Sequence, residues 1–287
     1  IDDVTPAELD ALLDRAAAMK AGETDPRLSD ATLGMIFEKP STRTRVSFET
    51  GMTRLGGHAM FLGPDDIQLG HGEPLKDTAR VLGRYVDGVM ARLFDHEDVE
   101  VLAEYADCPV INGLTDEAHP CQTLADLLTI RETVGEDAAV AWVGDGNNVA
   151  QSFVLGAALA GLECTVTTPP SYGVDPAVMD RAAELGPAPT VVDDPRDAVG
   201  DADVVYTDVW VSMGEEDVRE EKLQAFEGYQ LNADRLAGSD ALVMHCLPAH
   251  RGEEITDEVV ESDRSIVWQQ AENRLHAQAG LLVELLA

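Results

Sequence analysis

The 287-residue sequence has few cysteines, few aromatic residues and no long apolar run. Its four cysteines, Cys108, Cys121, Cys164 and Cys246, form no CxxC pair, so we expect reduced thiols rather than a disulfide framework or a zinc ribbon. No apolar run approaches the ~20 residues of a membrane-spanning helix, and the first residues lack the pattern of a signal peptide. We expect a cytoplasmic protein without a membrane partner. Because the chain starts at Ile1, we expect its native N-terminus to be missing.

Positive charge is also scarce. The chain has 54 acidic and 20 basic residues, and its formal net charge is -34. Repulsion at this charge disfavours nucleic acid as a partner, and any anionic ligand must be captured by a local group of cations. The lysines are Lys20, Lys39, Lys76 and Lys222. High acidity together with so few lysines predicts adaptation to a high-salt cytoplasm, the alternative being an ordinary acidic protein.

Short apolar runs alternate with amphipathic segments along the chain. The runs lie at residues 33–37, 58–62, 88–92, 109–113, 139–144, 164–168, 189–193, 203–208, 242–246 and 265–269. This alternation is typical of an α/β fold with parallel sheets flanked by helices. Ten runs predict two domains, each with a sheet of four or five strands. We place a first domain at residues 1–134, joined by a C-terminal helix at 270–287 that packs back on it, and a second domain at 135–269.

Unusual polar residues follow the ends of most of these runs. In doubly wound sheets ligands bind beyond the carboxyl ends of the strands, which predicts that these groups surround one crevice. They are the segment STRTR (41–45), Arg92, His119, GDGNN (144–148), Asp208, HCLP (245–248) and Arg274.

The STRTR segment predicts a phosphate site. Residues 41–44 are expected to start a helix, because apolar positions follow at helical spacing and Gly56 and Gly57 end the pattern. Free N–H groups of the first turn, hydroxyl groups and the Arg43 guanidinium are together suited to bind phosphate. Arg45 points about half a turn away and is the candidate for a salt bridge instead.

The GDGNN segment allows two interpretations. Gly144 and Gly146 match the first two positions of the dinucleotide pattern GxGxxG, but Val149 stands at the third, and no acid ends the following run CTVTT. The alternative is a tight turn from strand to helix. Asn147 and Asn148 suit recognition of polar substrate groups better than a pyrophosphate.

Histidines raise two further questions. His119 precedes Pro120, a favoured first helical residue, so we expect its imidazole to lie at a helix N-terminus and to stay neutral. A capping or packed histidine is the alternative. His245, Cys246 and His250 match no common zinc spacing, and we expect no metal.

Taken in order, the motifs resemble those of the aspartate/ornithine carbamoyltransferase family. They are STRTR, DIQLGHGEPLKDTAR, Arg92, HPCQ, GDGNN, DVWVSMG, HCLPAHRG and QAENR. The SMG and HCLP segments look like the ornithine branch. The resemblance spans almost the whole chain and implies a carbamoyl phosphate domain, an ornithine domain, and trimers or multiples of trimers with shared active sites. It implies no cofactor. The implied reaction is the reversible transfer of a carbamoyl group from carbamoyl phosphate to the δ-amine of ornithine, used in arginine synthesis or degradation.

The resemblance also implies roles for single residues. Carbamoyl phosphate would be bound by Ser41, Thr42, Arg43, Thr44, Gln68 from a neighbouring subunit, Arg92, His119, Gln122, the Cys246 and Leu247 backbone, and Arg274. Ornithine would be bound by Asn148, Asp208, Ser212 and Met213. The catalytic groups would be Arg92, His119 and Cys246. Cys121 within HPCQ departs from the usual pattern, and we expect this change to be neutral.

Three alternatives stay open from the sequence. A carbamoyltransferase for another amine, such as putrescine, would keep the first domain and alter the SMG region. A non-enzymatic anion-binding protein would not need His119 and Cys246. A dehydrogenase would need an acid after CTVTT, where none stands.

Overall fold

The computed structural model describes residues 1–23, 28–67 and 72–287. These residues form two compact units. Residues 10–125 and 273–287 make up the first, which we call the four-stranded unit. Residues 1–9 and 126–272 make up the second, which we call the five-stranded unit. The predicted domain limits, residues 1–134 with 270–287 and residues 135–269, remain a prediction.

In chain order the structure begins with α1 (Pro6–Lys20), β1 (Thr32–Phe37), α2 (Thr42–Arg54), β2 (His58–Leu62), α3 (Leu75–Leu82), β3 (Gly88–Arg92), α4 (His96–Tyr105), β4 (Val110–Leu114) and α5 (Pro120–Thr133). It continues with β5 (Ala139–Val143), α6 (Asn148–Leu159), β6 (Glu163–Thr167), α7 (Pro176–Leu185), β7 (Thr190–Val191), α8 (Pro195–Gly200), β8 (Val204–Thr207), a 3₁₀ turn at Glu216–Val218, α9 (Arg219–Ala225), β9 (Leu242–His245), α10 (Asp257–Val260) and α11 (Val267–Leu286).

The four-stranded unit contains a parallel sheet in the order β2-β1-β3-β4. Side chains of a strand point alternately to opposite faces. Leu33, Met35 and Phe37 therefore enter one buried cluster, while Ile36 enters a second cluster together with Val89. Both faces of the central strands β1 and β3 are covered, which explains why these two strands read as nearly continuous apolar runs.

The C-terminal helix packs on the four-stranded sheet, as predicted. Ala279, Leu282 and Val283 of α11 belong to the same buried cluster as Leu33 of β1 and Phe48 of α2. The apolar end of the chain therefore completes the first core.

The five-stranded unit contains a parallel sheet in the order β7-β6-β5-β8-β9. Val143 and Val205 belong to an aliphatic cluster on one face. On the other face, Trp142 and Phe153 contact the ring of Tyr206 at centroid distances of 4.8 and 5.1 Å. The prediction of two sheets with four or five strands each is confirmed.

The tenth predicted strand, at residues 265–269, is wrong. Ser265 forms an isolated bridge with Val243, and α11 already begins at Val267. A five-residue apolar run cannot distinguish a buried strand from the first turn of a buried helix. Consequently Arg274 lies within α11 rather than after a strand.

Among the described residues, no helix combines the length and the apolarity that crossing a bilayer requires.

Candidate active site

The start of α2 is built as the sequence predicted. Ser41 has extended backbone angles and is the N-cap, and its hydroxyl accepts a hydrogen bond from the backbone N–H of Thr44 at 3.2 Å. A helix leaves the N–H groups of its first turn without intrahelical acceptors, and its positive end favours anions. Thr42 is exposed in this turn. The segment is thus a local site for negative charge.

The two arginines of this segment have different surroundings. Arg45 is exposed, donates to Glu49 at 2.9 Å along the same helix, and lies 3.8 Å from the ring centroid of Phe61. Arg43 is half-buried, and its positive charge acts on His119. The prediction that Arg45 serves a salt bridge is confirmed.

Arg274 is buried and joins the helices of the four-stranded unit. Its Nη1 donates to Gln122 Oε1 at 2.6 Å, and its Nη2 donates to Thr44 Oγ1 at 3.1 Å. Its Nε donates to Gln278 Oε1 at 2.9 Å, one turn along α11. The guanidinium is therefore held in one orientation between α2, α5 and α11.

Two residues that sequence reasoning missed support this arrangement. Gln278 donates to Ser47 Oγ at 2.7 Å, and Ser47 in turn donates to the Arg43 carbonyl at 2.6 Å. Gln278 stands four residues after Arg274 and Ser47 four residues after Arg43, so the helical spacing was the available signal. These bonds fix Arg274 against the first turn of α2.

Arg92 joins Arg43 and Arg274 in a cationic cluster of the four-stranded unit, and His119 lies close to these charges. Both Arg92 and His119 are buried. Burial holds the pKa of His119 well below its usual value of 6.5. The positive charges of Arg274, Arg92 and Arg43 lower this pKa further. The imidazole is therefore neutral, as predicted, and the causes are burial and the three arginines. Grouping like charges costs free energy, which a bound anion would offset.

The five-stranded unit carries different chemistry at the ends of β8 and β9. Asp208 is buried, accepts a hydrogen bond from Asn147 Nδ2 at 2.9 Å, and accepts another from Cys246 Sγ at 2.9 Å. A donating Cys246 carries its proton. The carboxylate of Asp208 is therefore held in place from two sides.

The segment after β9 is positioned by His245. The Leu247 N–H donates to His245 Nδ1 at 2.9 Å, so the proton of the neutral ring lies on Nε2, which is 3.1 Å from Glu254 Oε1. Leu247 has φ 59°, a left-handed conformation that costs free energy in a non-glycine residue and is frequent at functional sites. Side-chain atoms of Asp208, His245 and Cys246 that could coordinate a metal ion lie within 4.8 Å of one another. Both ring nitrogens of His245 already have partners, so it serves to orient this segment.

A second buried chain of hydrogen bonds supports His245. Gln270 accepts from the His245 N–H at 2.9 Å and donates to Asp126 Oδ1 at 2.7 Å. The other oxygen of Asp126 accepts from the Tyr206 hydroxyl at 3.0 Å. Burial, and then the charge of Asp126, raise the pKa of Tyr206 well above its usual value, so Tyr206 remains the donor. These partners come from distant parts of the chain and gave no sequence signal.

The glycines of GDGNN are explained by packing. A Cβ atom on Gly146 would lie 2.3 Å from the Gly173 backbone, and the Gly146 N–H donates to the Tyr172 carbonyl at 2.9 Å. Asn147 caps α6 through two backbone N–H groups, and Asn148 is the first helical residue. The segment is the tight strand-to-helix turn of the second interpretation. The signal for the cap was available, since Asn precedes a helix start.

The SMG segment forms a turn that is closed by hydrogen bonds. The Glu215 N–H donates to the Ser212 carbonyl at 3.1 Å, and the Ser212 N–H donates to the Glu215 carboxylate at 2.8 Å. Gly214 has φ +97°, and the side chain of Met213 is half exposed. Lys222 of α9 bonds the same Glu215 carboxylate at 2.6 Å.

The structure groups the predicted site residues by unit. In the four-stranded unit, Arg274 donates hydrogen bonds to Thr44 and Gln122. Arg274, Arg43 and Arg92 are close enough to His119 for their charges to lower its pKa. Asp208 and Cys246 are bonded together in the other unit, where Asn148, Ser212, Met213 and Leu247 also lie. Gln68 lies outside the described residues.

The sequence matches two family models along nearly its whole length. Residues 1–132 match the model described as "Aspartate/ornithine carbamoyltransferase, carbamoyl-P binding domain". Residues 136–285 match the model described as "Aspartate/ornithine carbamoyltransferase, Asp/Orn binding domain".

Named relatives agree with these models. The chain is 68% identical over 289 residues to an ornithine carbamoyltransferase of Haloquadratum walsbyi, covering 100% of this chain and 96% of that protein. It is 56% identical to one of Methanoculleus marisnigri, covering 99% and 95%. The solved ornithine carbamoyltransferase of Pyrococcus furiosus superposes with a TM-score of 0.94 at 50% identity, covering 99% of this chain and 95% of that one. From its motifs, its fold and these matches, the chain belongs to the aspartate/ornithine carbamoyltransferase family.

Proposed function

We propose that this protein transfers the carbamoyl group of carbamoyl phosphate to the δ-amine of L-ornithine, giving L-citrulline and phosphate, in a reversible reaction. The observation that carries the proposal is the cationic cluster of Arg43, Arg92 and Arg274 around a neutral His119. So acidic a chain needs such a cluster to bind a dianionic substrate. The reaction transfers no electrons, so it needs no redox cofactor, and the proposal includes no cofactor of another kind.

Carbamoyl phosphate binds to the four-stranded unit in this proposal. Its phosphate is held by the first turn of α2, where Ser41, Thr42 and Thr44 supply hydroxyl groups and Arg43 supplies a guanidinium. Its carbamoyl end is held by Arg92, His119, Gln122 and Arg274, with the Cys246 and Leu247 backbone as further contacts. Gln68 of a neighbouring subunit would complete the site. The functional domain is residues 1–134 with 270–287.

The cluster also suits the reaction itself. Attack of the amine on the carbonyl carbon builds negative charge on the carbonyl oxygen, and fixed donors aimed at this oxygen lower the barrier. Neutral His119 donates one hydrogen bond there, beside Arg92. Arg43 and Arg274 stabilise the leaving phosphate. The polar bonds that hold Arg274 keep this arrangement fixed before the substrate arrives.

Ornithine binds to the functional domain at residues 135–269. The α-ammonium pairs with Asp208, which Asn147 and Cys246 already orient. The α-carboxylate accepts hydrogen bonds from Asn148, from the Ser212 hydroxyl and from the backbone of the turn at Met213. Cys246 faces the δ-amine as a positioning contact. A turn that covers the second substrate excludes water, which would otherwise hydrolyse carbamoyl phosphate.

Formation of the ureido product, which is citrulline only when ornithine is the acceptor, is measured with three acceptors to test this function. L-Ornithine should support turnover at saturating carbamoyl phosphate, whereas putrescine and L-aspartate should give less than a hundredth of that rate. Putrescine lacks the α-carboxylate, and aspartate lacks the δ-amine. A higher rate with putrescine would replace the proposed acceptor, and no turnover with any amine would favour simple anion binding.

We further propose a cytoplasmic homotrimer, or a multiple of trimers, adapted to high salt. Three chains bring together about a hundred net negative charges, whose repulsion extends over ~8 Å at 0.15 M ionic strength and ~3 Å at 1 M. The sedimentation coefficient and the rate of citrulline formation should decrease together as the KCl concentration is lowered. Both should recover together when KCl is restored. Full activity of an intact oligomer at 0.1 M KCl would contradict the salt adaptation, and activity of a monomer would contradict shared sites.

A further inference from the structure

We infer that Lys222 is a positioning residue that ties together the two loops carrying the ornithine ligands. The two loops are residues 144–148, which lead to Asn148, and residues 212–215, which contain Ser212 and Met213. This inference rests on the proposed function, because it concerns the ornithine site.

Lys222 makes a short ion pair with each loop. Its Nζ lies 2.8 Å from Asp145 Oδ2 and 2.6 Å from Glu215 Oε2. The same Glu215 oxygen accepts the Ser212 N–H at 2.8 Å. One ammonium group therefore connects the turn before α6 to the backbone of Ser212 through a single carboxylate.

The burial of Lys222 makes this contact unusual. The residue is 4% exposed, in a chain whose lysines number four. Removing an ammonium group from water costs several kcal/mol unless opposite charges compensate. Burial lowers the pKa of Lys222, but hydrogen bonds to Asp145 and Glu215 outweigh burial and raise the pKa overall. The lysine therefore stays charged and holds both carboxylates.

Aromatic packing places Lys222 at this point. Phe226 lies one turn further along α9 and is fully buried, with ring centroids 5.3 Å from Trp210 and 5.2 Å from Tyr172. Trp210 stands two residues before Ser212 of the SMG turn, and the Tyr172 carbonyl accepts the Gly146 N–H. The short helix α9 is thus fixed between the two loops, with Lys222 facing both.

The consequence concerns ornithine rather than carbamoyl phosphate. Without the ammonium group, Asp145 and Glu215 repel each other, and the Ser212 backbone loses a fixed acceptor. The turn then samples other conformations, and ornithine must order it on binding. Hydrogen bonds to charged groups justify an expected rise of about ten- to a hundredfold in the KM for ornithine.

The test is Lys222→Met in the full-length protein at high KCl. We expect the KM for ornithine to rise about ten- to a hundredfold, and the KM for carbamoyl phosphate to stay within about twofold. Lys222→Arg retains the charge and should restore the ornithine KM to within about threefold. Arg181→Met is the matched control, because Arg181 also pairs with two carboxylates, Asp2 and Glu184, but is exposed. It should leave both KM values unchanged.

A second measurement does not depend on turnover. Hydrogen exchange followed by mass spectrometry should show at least tenfold faster exchange of residues 211–218 in Lys222→Met than in the wild type. If Lys222→Met does not fold, Glu215→Ala is measured instead. This change removes the carboxylate that joins Lys222 to the Ser212 N–H, at a partly exposed position, and it should raise the ornithine KM and the exchange rate in the same way.

The outcomes separate the two proposals. An unchanged ornithine KM with unchanged exchange, or an equal rise in both KM values, would overturn the role of Lys222. A wild-type protein that forms no citrulline would overturn the proposed function instead, while the exchange measurement would still decide whether Lys222 holds the turn.

Discussion

The two units present opposite chemistry within one acidic chain. The four-stranded unit gathers cations, with Arg92 and Arg274 buried near His119. The five-stranded unit gathers a carboxylate, an amide and a thiol around Asp208. A formal net charge of -34 predicts neither arrangement. Each candidate site carries a charge opposite to that of the ligand group proposed for it. The net charge of the chain, in contrast, is set mainly by acidic residues at the surface.

The two sites also differ in what holds them. Arg274 is fixed by side chains of α2, α5 and α11, so three helices determine its position. Ser212 is fixed by a turn and by the ammonium group of Lys222. Sites on helices are more rigid than sites on loops. We therefore expect the first site to be preformed and the second to adjust when its ligand binds.

The largest effect is expected for Arg43→Ala, which tests the cationic side of the comparison. The half-buried Arg43 is assigned to the phosphate, so its loss should lower kcat/KM about a hundred- to a thousandfold, or roughly 2.7 to 4 kcal/mol. Arg45→Ala on the same helix is the matched control and should stay within about twofold, since it loses an exposed ion pair and a contact with the Phe61 ring but no contact assigned to the substrate. Equal effects of the two changes would show that general positive charge matters, not the assigned contact.

Asp208→Asn tests the other side and should have the next largest effect. In the proposed site Asp208 pairs with the α-ammonium, and losing that charge should remove roughly 1.5 to 3 kcal/mol, so the KM for ornithine should rise about ten- to a hundredfold. Ser212→Ala should act in the same direction with a smaller rise. Equilibrium binding of carbamoyl phosphate should be unchanged, and the exposed Asp240→Asn should affect neither ligand. A matching loss for carbamoyl phosphate would mean that the two sites are not divided as proposed.

The pH dependence of stability should report on the buried His119. Its pKa is low in the folded protein and near 6.5 when unfolded, so below about pH 6.5 only the unfolded chain takes up this proton. The free energy of unfolding should therefore decrease as the pH is lowered below about 6.5, by up to ~1.4 kcal/mol per pH unit from this group. Denaturant unfolding at pH 7.5, 6.5 and 5.5 should show a steeper fall for wild type than for His119→Gln. Parallel curves would refute a low pKa for His119.

Cys121→Ala should have the smallest effect. The thiol is buried, donates to the Asn112 carbonyl at 3.3 Å, and has a pKa that burial raises to about 11. A protonated buried thiol is unreactive, so iodoacetamide should not modify it in the folded protein at pH 8. The substitution should cost about 1 kcal/mol or less in stability and leave turnover within about twofold. A tenfold loss of turnover would give Cys121 a role in positioning HPCQ.

Much of the fold was predictable because its signals are local. Nine of the ten apolar runs became strands, and the central strands of each sheet read as short continuous apolar segments because both of their faces are buried. The tenth run failed because α11 begins with an equally apolar turn at Val267. The N-cap at Ser41 and the helix start after His119 were predictable for the same reason, as caps depend on neighbouring residues.

The sequence by itself determined the two parallel sheets, the helix starts that carry STRTR and HPCQ, and the positions of the unusual polar residues. Only the tertiary structure decided which of these residues meet. It placed Arg274 against Thr44 across 230 positions and Lys222 against Asp145 across 77. The physical reason is that secondary structure follows from side-chain periodicity and capping within a few residues, whereas a buried charge is stable only where packing brings partners from elsewhere in the chain.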